Sequence, residues 1–244
     1  MPPSAASEPA GSRTAPGPAA PDLLVEALQV RDGGGRVLLA IDRLTLRAGQ
    51  SLAVQGPSGA GKSTLLHVLS GLIRPATGRV VWGGTDIAAL SEPARAAFRR
   101  NRLGLIFQDY NLFEELPALG NAALAAAFAP ARDRAALRDR AAGWLDRLGL
   151  GAAGGRTVAS FSGGERQRIA VARALAADPP VILADEPTAS LDRAAADALG
   201  ADLARLARDG GRTLVAVTHD PALAGLLQRR LAIADGRVVE DSDA

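Results

Sequence analysis

The chain has 244 residues, 48% of them hydrophobic, a formal net charge of +2 and no cysteine. That is enough apolar material for one large domain, or for a core carrying an inserted subdomain. The missing thiol excludes disulfides, thiolate metal sites such as structural zinc, and cysteine nucleophiles. Two histidines, His67 and His219, are too few for a His-rich metal centre, and His67, on the apolar face of a helix, reads as packing. There is no basic tract to support nucleic-acid binding. The pairs Arg99–Arg100 and Arg229–Arg230 are too short for a basic patch and read as solvated helix faces.

Residues 1–21 are mostly Pro, Ala, Gly and Ser. They cannot bury enough surface to offset their ordering entropy, which predicts a disordered tail. No basic region followed by an apolar one opens the chain, so no secretory leader is expected. From Leu23 the pattern is β-rich: LLVEALQV, a Gly33–Gly35 turn, then RVLLAIDRLTL. Four short apolar runs follow at intervals. Leu52–Val54 ends at Gly56, Leu103–Phe107 at Gln108, Val181–Ala184 at Asp185 and Glu186, and Leu214–Val217 at Thr218 and His219. Wholly apolar runs of this length predict strands buried on both faces of a parallel sheet. Ligands bind such sheets beyond the carboxyl ends of the strands, where all four runs carry polar residues. Between about residues 109 and 178 the pattern turns helical. Leu137, Trp144, Leu145 and Leu148 share one face and Gly149 provides a stop, predicting an inserted helical subdomain. The longest apolar stretch, Ala122–Ala129, is closed by Pro130 and falls short of the roughly 20 residues needed to span a bilayer.

One segment concentrates the chemistry. Gly56, Pro57, Ser58, Gly59, Ala60, Gly61, Lys62, Ser63 and Thr64 follow a predicted strand and precede an amphipathic helix. Of the 28 Lys+Arg residues Lys62 is the sole lysine, in a chain that otherwise carries its positive charge on arginine. The pattern G-x-x-x-x-G-K-S reads as a phosphate-binding loop. Backbone N–H groups at the helix start cradle the β- and γ-phosphates, Lys62 neutralises them, and the Ser63 hydroxyl is suited to Mg²⁺. Downstream, Asp185 and Glu186 stand at the mouth of a buried strand. Neighbouring strand residues point to opposite faces, so Asp185 is assigned to the metal and Glu186 to polarising an attacking water. Ser162 and Glu165 form a capping box for the next helix. The intervening Gly163 and Gly164 weaken a helix start, and make sense if the backbone must approach an anion closely.

With these motifs in order, the chain from about Leu23 onward resembles the nucleotide-binding domains of ATP-binding cassette (ABC) transporters, most like the lipoprotein-releasing, macrolide-export and cell-division-associated group. The resemblance implies an α/β fold: a P-loop NTPase (RecA-like) core with a parallel sheet, an N-terminal antiparallel β subdomain and the inserted helical subdomain, spanning residues 22–244. It implies Gln108 as a lid residue near the metal and the catalytic centre, and Ser162–Gln167 as the signature, with Phe161 and Glu165 in place of the usual Leu and Gln. It further implies Asp192 at the end of Ala189–Asp192 as a dimer contact, and His219 as a switch histidine. ATP and Mg²⁺ are the implied cofactors. The implied assembly is a head-to-tail homodimer or pseudo-dimer, each ATP lying between one copy's phosphate loop and the other's signature. Such a dimer would work with a separate membrane permease, peripheral to the cytoplasmic face of the inner membrane. Members usually stack an aromatic near the first strand's end on adenine. Here no Phe, Tyr or Trp precedes Trp82, so Arg31 or an aliphatic contact such as Val37 is expected there. The alternative is a soluble cassette ATPase, but one cassette without a coiled-coil insertion or cysteines favours the transporter subunit.

Overall fold

The computed structural model describes residues 19–243; the expected tail lies, up to residue 18, outside them. In chain order the elements are β1 (Leu23–Arg31), β2 (Val37–Leu46), β3 (Ser51–Gln55), α1 (Lys62–Leu69), β4 (Thr77–Trp82), β5 (Thr85–Asp86), α2 (Glu92–Arg102) and β6 (Leu103–Ile106). There follow α3 (Ala118–Ala122), α4 (Ala131–Arg147), α5 (Gly163–Ala176), β7 (Val181–Asp185), α6 (Arg193–Arg208), β8 (Thr213–Val217), α7 (Pro221–Leu226), β9 (Arg229–Ala234) and β10 (Arg237–Asp241). A 3₁₀ turn at Leu124–Phe128 separates α3 from α4.

All ten strands form one sheet, ordered β5-β4-β1-β2-β10-β9-β3-β8-β7-β6. From β9 to β6 every pairing is parallel. The four apolar runs lack alternation because both faces are covered. Val181, Leu183, Val215 and Val217 face the core that includes Leu65 and Leu69 of α1. Ile182, Ala184, Leu214 and Ala216 face Val171, Leu175, Leu199 and Leu203 of α5 and α6. Each branched side chain so buried stabilises the fold by about 1.5–3 kcal/mol relative to exposure.

The other half is antiparallel: β1 pairs with β2 and β4, and β4 with β5. In β1 the buried residues are Leu23, Val25, Leu28 and Val30, so the period of two slips once. The cause is a bulge at Ala27, whose φ of 48° turns the chain over. Gly78 on β4 meets it, and a Cβ there would stand 2.4 Å from the Ala27 carbonyl oxygen.

Four strands were not expected from the sequence. β4–β5 turns through Gly83 and Gly84, and β9–β10 through Asp235 and Gly236, all four with positive φ. This is the twist-matched two-residue hairpin turn. The Asp-Gly pair between apolar runs was a readable signal of it. The second hairpin corrects the reading of Arg229–Arg230: they lie on a strand, and Arg229 is buried, ion-paired to Asp241 and donating to the Thr45 carbonyl. Arg99 departs from a solvated face too. It is on α2, but its guanidinium donates to the Gly71 carbonyl at 2.8 Å and to Glu92 at 2.9 Å. β10 joins the two halves of the sheet: it runs antiparallel to β9, and Arg237 pairs with Ala40 of β2.

The helices between β6 and β7 bury a third core, in which Ala118, Ala122, Ala141, Leu145, Val158, Phe161 and Ile169 meet. Alanine at the crossings lets α3, α4 and α5 approach closely. Leu137 and Leu145 are buried on the expected face, with Trp144 and Leu148 partly covered, and Gly149 has φ 75°.

Candidate functional site

Register brings the four strand ends together. Val217 of β8 lies beside both Val54 of β3 and Asp185 of β7, and Ala184 of β7 lies beside Ile106 of β6. The loops bearing Gly56–Thr64, His219, Asp185–Glu186 and Gln108 therefore all leave one edge of the sheet.

Gly61 caps α1 with φ 103° and no side-chain hydrogen bond, so the first amides of the helix are left for an external acceptor. The loop's path is dictated by tertiary contact. A Cβ on Gly56 would lie 2.0 Å from the Ile233 carbonyl oxygen of β9, and one on Gly61 2.9 Å from that of Leu38 on β2. Lys62 is 7% exposed, and its Nζ donates to the carbonyls of Gly56 and Pro57, each at 2.8 Å. The ammonium is thus held at the centre of the loop. Ser63 and Thr64 are half-buried on the first turn of α1.

Asp185 ends β7 and is 6% exposed. Glu186 departs from the expectation of two carboxylates alternating along a strand. It lies past the strand end with φ 47°, a region that disfavours a side chain of its size. The strain is held by its N–H, which donates to the Val217 carbonyl at 2.9 Å. The side chain consequently turns towards β8: the His219 N–H donates to Glu186 Oε2 at 3.3 Å, and His219 Nε2 lies 3.6 Å from Oε1. Oε1 is buried with no hydrogen-bond partner among the described residues. Burial pushes the Glu186 carboxyl above its ordinary value, and Asp185 adds to this, while the His219 N–H and the charges of His219 and Lys62 pull it down. Removing His219's charge should therefore raise it further. In a carboxyl-carbon NMR titration of the nucleotide-free chain, Glu186 is expected to titrate above an ordinary glutamate, and in His219→Ala higher still. An unchanged titration in that variant would show that the imidazole does not act on this carboxylate.

The loops beyond these groups are cross-linked. Asp192 caps α6, accepting from the Ala195 N–H at 2.9 Å. Asp220 caps α7 and, held below its usual range by Arg193, accepts from that guanidinium and from Thr188. The capping box is made at α5: Ser162 N–H donates to Glu165 Oε2 at 2.8 Å, and Glu165 N–H to Ser162 Oγ at 3.4 Å. The glycine pair divides. Gly164 has a reason within the chain, since a Cβ would sit 2.8 Å from the Ser190 carbonyl oxygen, whereas Gly163 would meet only the Tyr110 hydroxyl at 3.5 Å. Gln108 is exposed, just past β6. His67 packs beside Phe107, their rings 6.3 Å apart. Arg31 donates to Gly35 and Gln29, and Val37, opposite it in the hairpin, is 40% exposed.

Tyr110, Arg173 and Arg193 carry no sequence signal, and Ser190 shows only as part of Ala189–Asp192. Their roles arise from contacts between distant segments, and no local spacing announces them. A cavity of about 550 Å³ lies among the helices near Leu119 and Ala126, lined by none of the groups in this set.

The residues expected to hold a cation, Ser63, Asp185 and Gln108, offer a hydroxyl, a carboxylate and an amide, all hard oxygen donors. Among the described residues no cluster of three or more His, Cys, Asp or Glu could enclose a metal. A cation here would be shared with phosphates and water, which suits Mg²⁺.

The profile of the ABC transporter family matches residues 39–189. The chain is 41% identical over 212 residues to the lipoprotein-releasing system ATP-binding protein LolD of Oleidesulfovibrio alaskensis, covering 86% of this chain and 91% of that protein. It is 43% identical over 221 residues to the macrolide export ATP-binding/permease protein MacB of Rhodospirillum rubrum, covering 90% of this chain and 34% of that one. It thus spans about a third of the length of the macrolide-export relatives. Among solved structures, the ADP- and Pi-bound dimer of the ATP-binding cassette MJ0796 in a post-hydrolysis state superposes with TM-score 0.82 at 31% identity, covering 90% of this chain and 97% of that one. On motifs, fold and relatives alike, the chain belongs to the ABC transporter family and is an ATP-binding ATPase cassette.

Proposed function

We propose that the chain, over residues 22–244 with the helical subdomain inserted at about 109–178, is the motor subunit of an export or lipoprotein-extraction system. Two copies would close head to tail on ATP and drive a separate membrane permease from the cytoplasmic face of the inner membrane. The observation that carries this reading is the gathering of Lys62, Asp185, Glu186 and His219 at the ends of adjacent parallel strands, over a helix start with no side-chain cap. The uncapped amides and Lys62 bind the β- and γ-phosphates. Ser63, Asp185 and Gln108 would hold Mg²⁺, which supplies charge neutralisation of the phosphates when bound. Glu186, aimed by its left-handed backbone, orients and polarises the attacking water, and His219 steadies Glu186. The Ser162–Glu165 end of α5 presents its amides to the γ-phosphate held by the other copy, with Asp192 at the seam. The dimeric MJ0796 cassette supports the pairing.

Among the described residues no helix is long and apolar enough to cross a membrane; the permease of this proposal is a separate chain. Its contact is proposed at a groove of about 310 Å³ beside the loop of Gln108, lined by Leu105, Phe107, Leu124, Phe128 and Arg173. Phe128 there is 69% exposed. An apolar patch rimmed by arginines suits a short amphipathic helix of a permease. Affinity-tagged chain expressed in its native cell is expected to retain a multi-span membrane protein, and Phe128→Asp to lose it while still binding ATP. Retention unaltered by Phe128→Asp would remove the groove from the docking surface, and no membrane partner at all would remove the transporter reading.

A further inference from the structure

We propose that Tyr110, the only tyrosine of the chain, is a positioning residue for Glu186, acting through the hydrogen bond of its hydroxyl to Ser190. The proposal rests on the ATPase reading above. Tyr110 Oη lies 2.6 Å from Ser190 Oγ, joining the loop after β6 to the loop after β7 across 80 residues of sequence.

Both ends of this link are stiff. Tyr110 and Asn111 have φ of 60° and 50°, two consecutive left-handed residues without a glycine between them. Arg173 of α5 holds them there, its guanidinium donating to the Asn111 carbonyl and, at 2.7 Å, to that of Tyr110. The Tyr110 N–H donates to the Phe107 carbonyl at 3.2 Å, closing the turn that contains Gln108. At the other end, Ser190 belongs to a chain of turns starting on Glu186 itself: the Ala189 N–H donates to the Glu186 carbonyl at 3.2 Å, and that of Leu191 to Thr188 at 3.1 Å. The buried Gln167 amide fixes the Pro187 carbonyl at 3.0 Å, and Gly164 lets the Ser190 carbonyl sit against α5.

A displacement of the Gln108 loop therefore reaches Ser190 directly through the hydroxyl pair, and Glu186 through the turns behind it. Because Glu186 holds a strained φ, its carboxylate direction depends on those turns. Phosphate binding at α1 does not.

The test uses the full chain with Tyr110→Phe, Ser190→Ala, the double variant and Ser190→Thr. ATP turnover and amide hydrogen exchange are both measured. Each single variant is expected to lower kcat about fivefold, leaving KM for ATP within about twofold and the melting temperature unchanged. The double variant is expected to fall no further than the singles, because one interaction is removed twice. Ser190→Thr, which keeps the hydroxyl, should stay within about twofold of the unmodified chain. The amides of Ala189 and Leu191 should exchange faster in Tyr110→Phe while those of β3 do not change. Unchanged kcat in Tyr110→Phe, or losses that multiply in the double variant, would overturn the proposal. If the unmodified chain turns over no ATP, the ATPase reading itself fails, and exchange alone decides the link: faster exchange at 189 and 191 supports it, and unchanged exchange overturns it.

Discussion

Glu186→Gln is expected to bind ATP with near-unchanged affinity, accumulate as an ATP-dependent dimer, and lose turnover by about a hundredfold or more, the range for removing a positioned general base. The substitution keeps the shape of the side chain and the hydrogen bond from the His219 N–H, but removes the charge that polarises water. It carries a second signature. Folding raises the pKa of Glu186, so the neutral form is the one the folded state prefers, and the group's contribution to stability is lost as pH rises through the folded value. Glutamine is permanently neutral, so the variant should melt no lower than the unmodified chain at pH 7 and compare less favourably in acid. Single-turnover hydrolysis, size-exclusion with and without ATP, and melting at two pH values check the three parts. Retained turnover would remove Glu186 from the centre of the reaction.

Lys62→Ala is expected to lose nucleotide binding. The ammonium donates to Gly56 and Pro57 and stands where the phosphates would be clasped. With charge-assisted bonds at about 1.5–3 kcal/mol each, losing one or two weakens ATP binding by about 3 kcal/mol, roughly a hundredfold in Kd. Lys62→Arg should fail comparably even though charge is kept, because a planar guanidinium cannot replace a compact ammonium at a position only 7% exposed. The check is titration calorimetry with ATP on both variants. Full affinity in Lys62→Arg would mean that charge alone suffices and that the loop is less confining than its backbone contacts require.

The legible part of the fold was the part governed by local pattern. β3, β6, β7 and β8 are apolar runs without alternation, and burial between α1 on one side and α5 and α6 on the other is what that pattern demands. The capping box at Ser162 and the stop at Gly149 are likewise local. The hairpin Arg229–Asp241 is marked locally only by Asp235-Gly236, and the arginine pair on its first strand reads as surface charge; Arg229 is neutralised by Asp241, twelve residues on. The Ala27 bulge leaves no local mark, since its partner Gly78 is fifty-one residues away.

The chemistry proposed for the site rests on residue types and on the family resemblance: a lone lysine in a glycine loop and two adjacent carboxylates after a buried strand point to a triphosphate and a water, and the resemblance adds the histidine. Which atoms meet was decided by the tertiary structure. The positive φ of Glu186 exists because the Val217 carbonyl of a neighbouring strand takes its N–H, and Gly56, Gly61 and Gly164 are imposed by carbonyls of Ile233, Leu38 and Ser190. Residue identity fixes what a group can do, whereas its direction depends on partners supplied by segments that sequence separation hides.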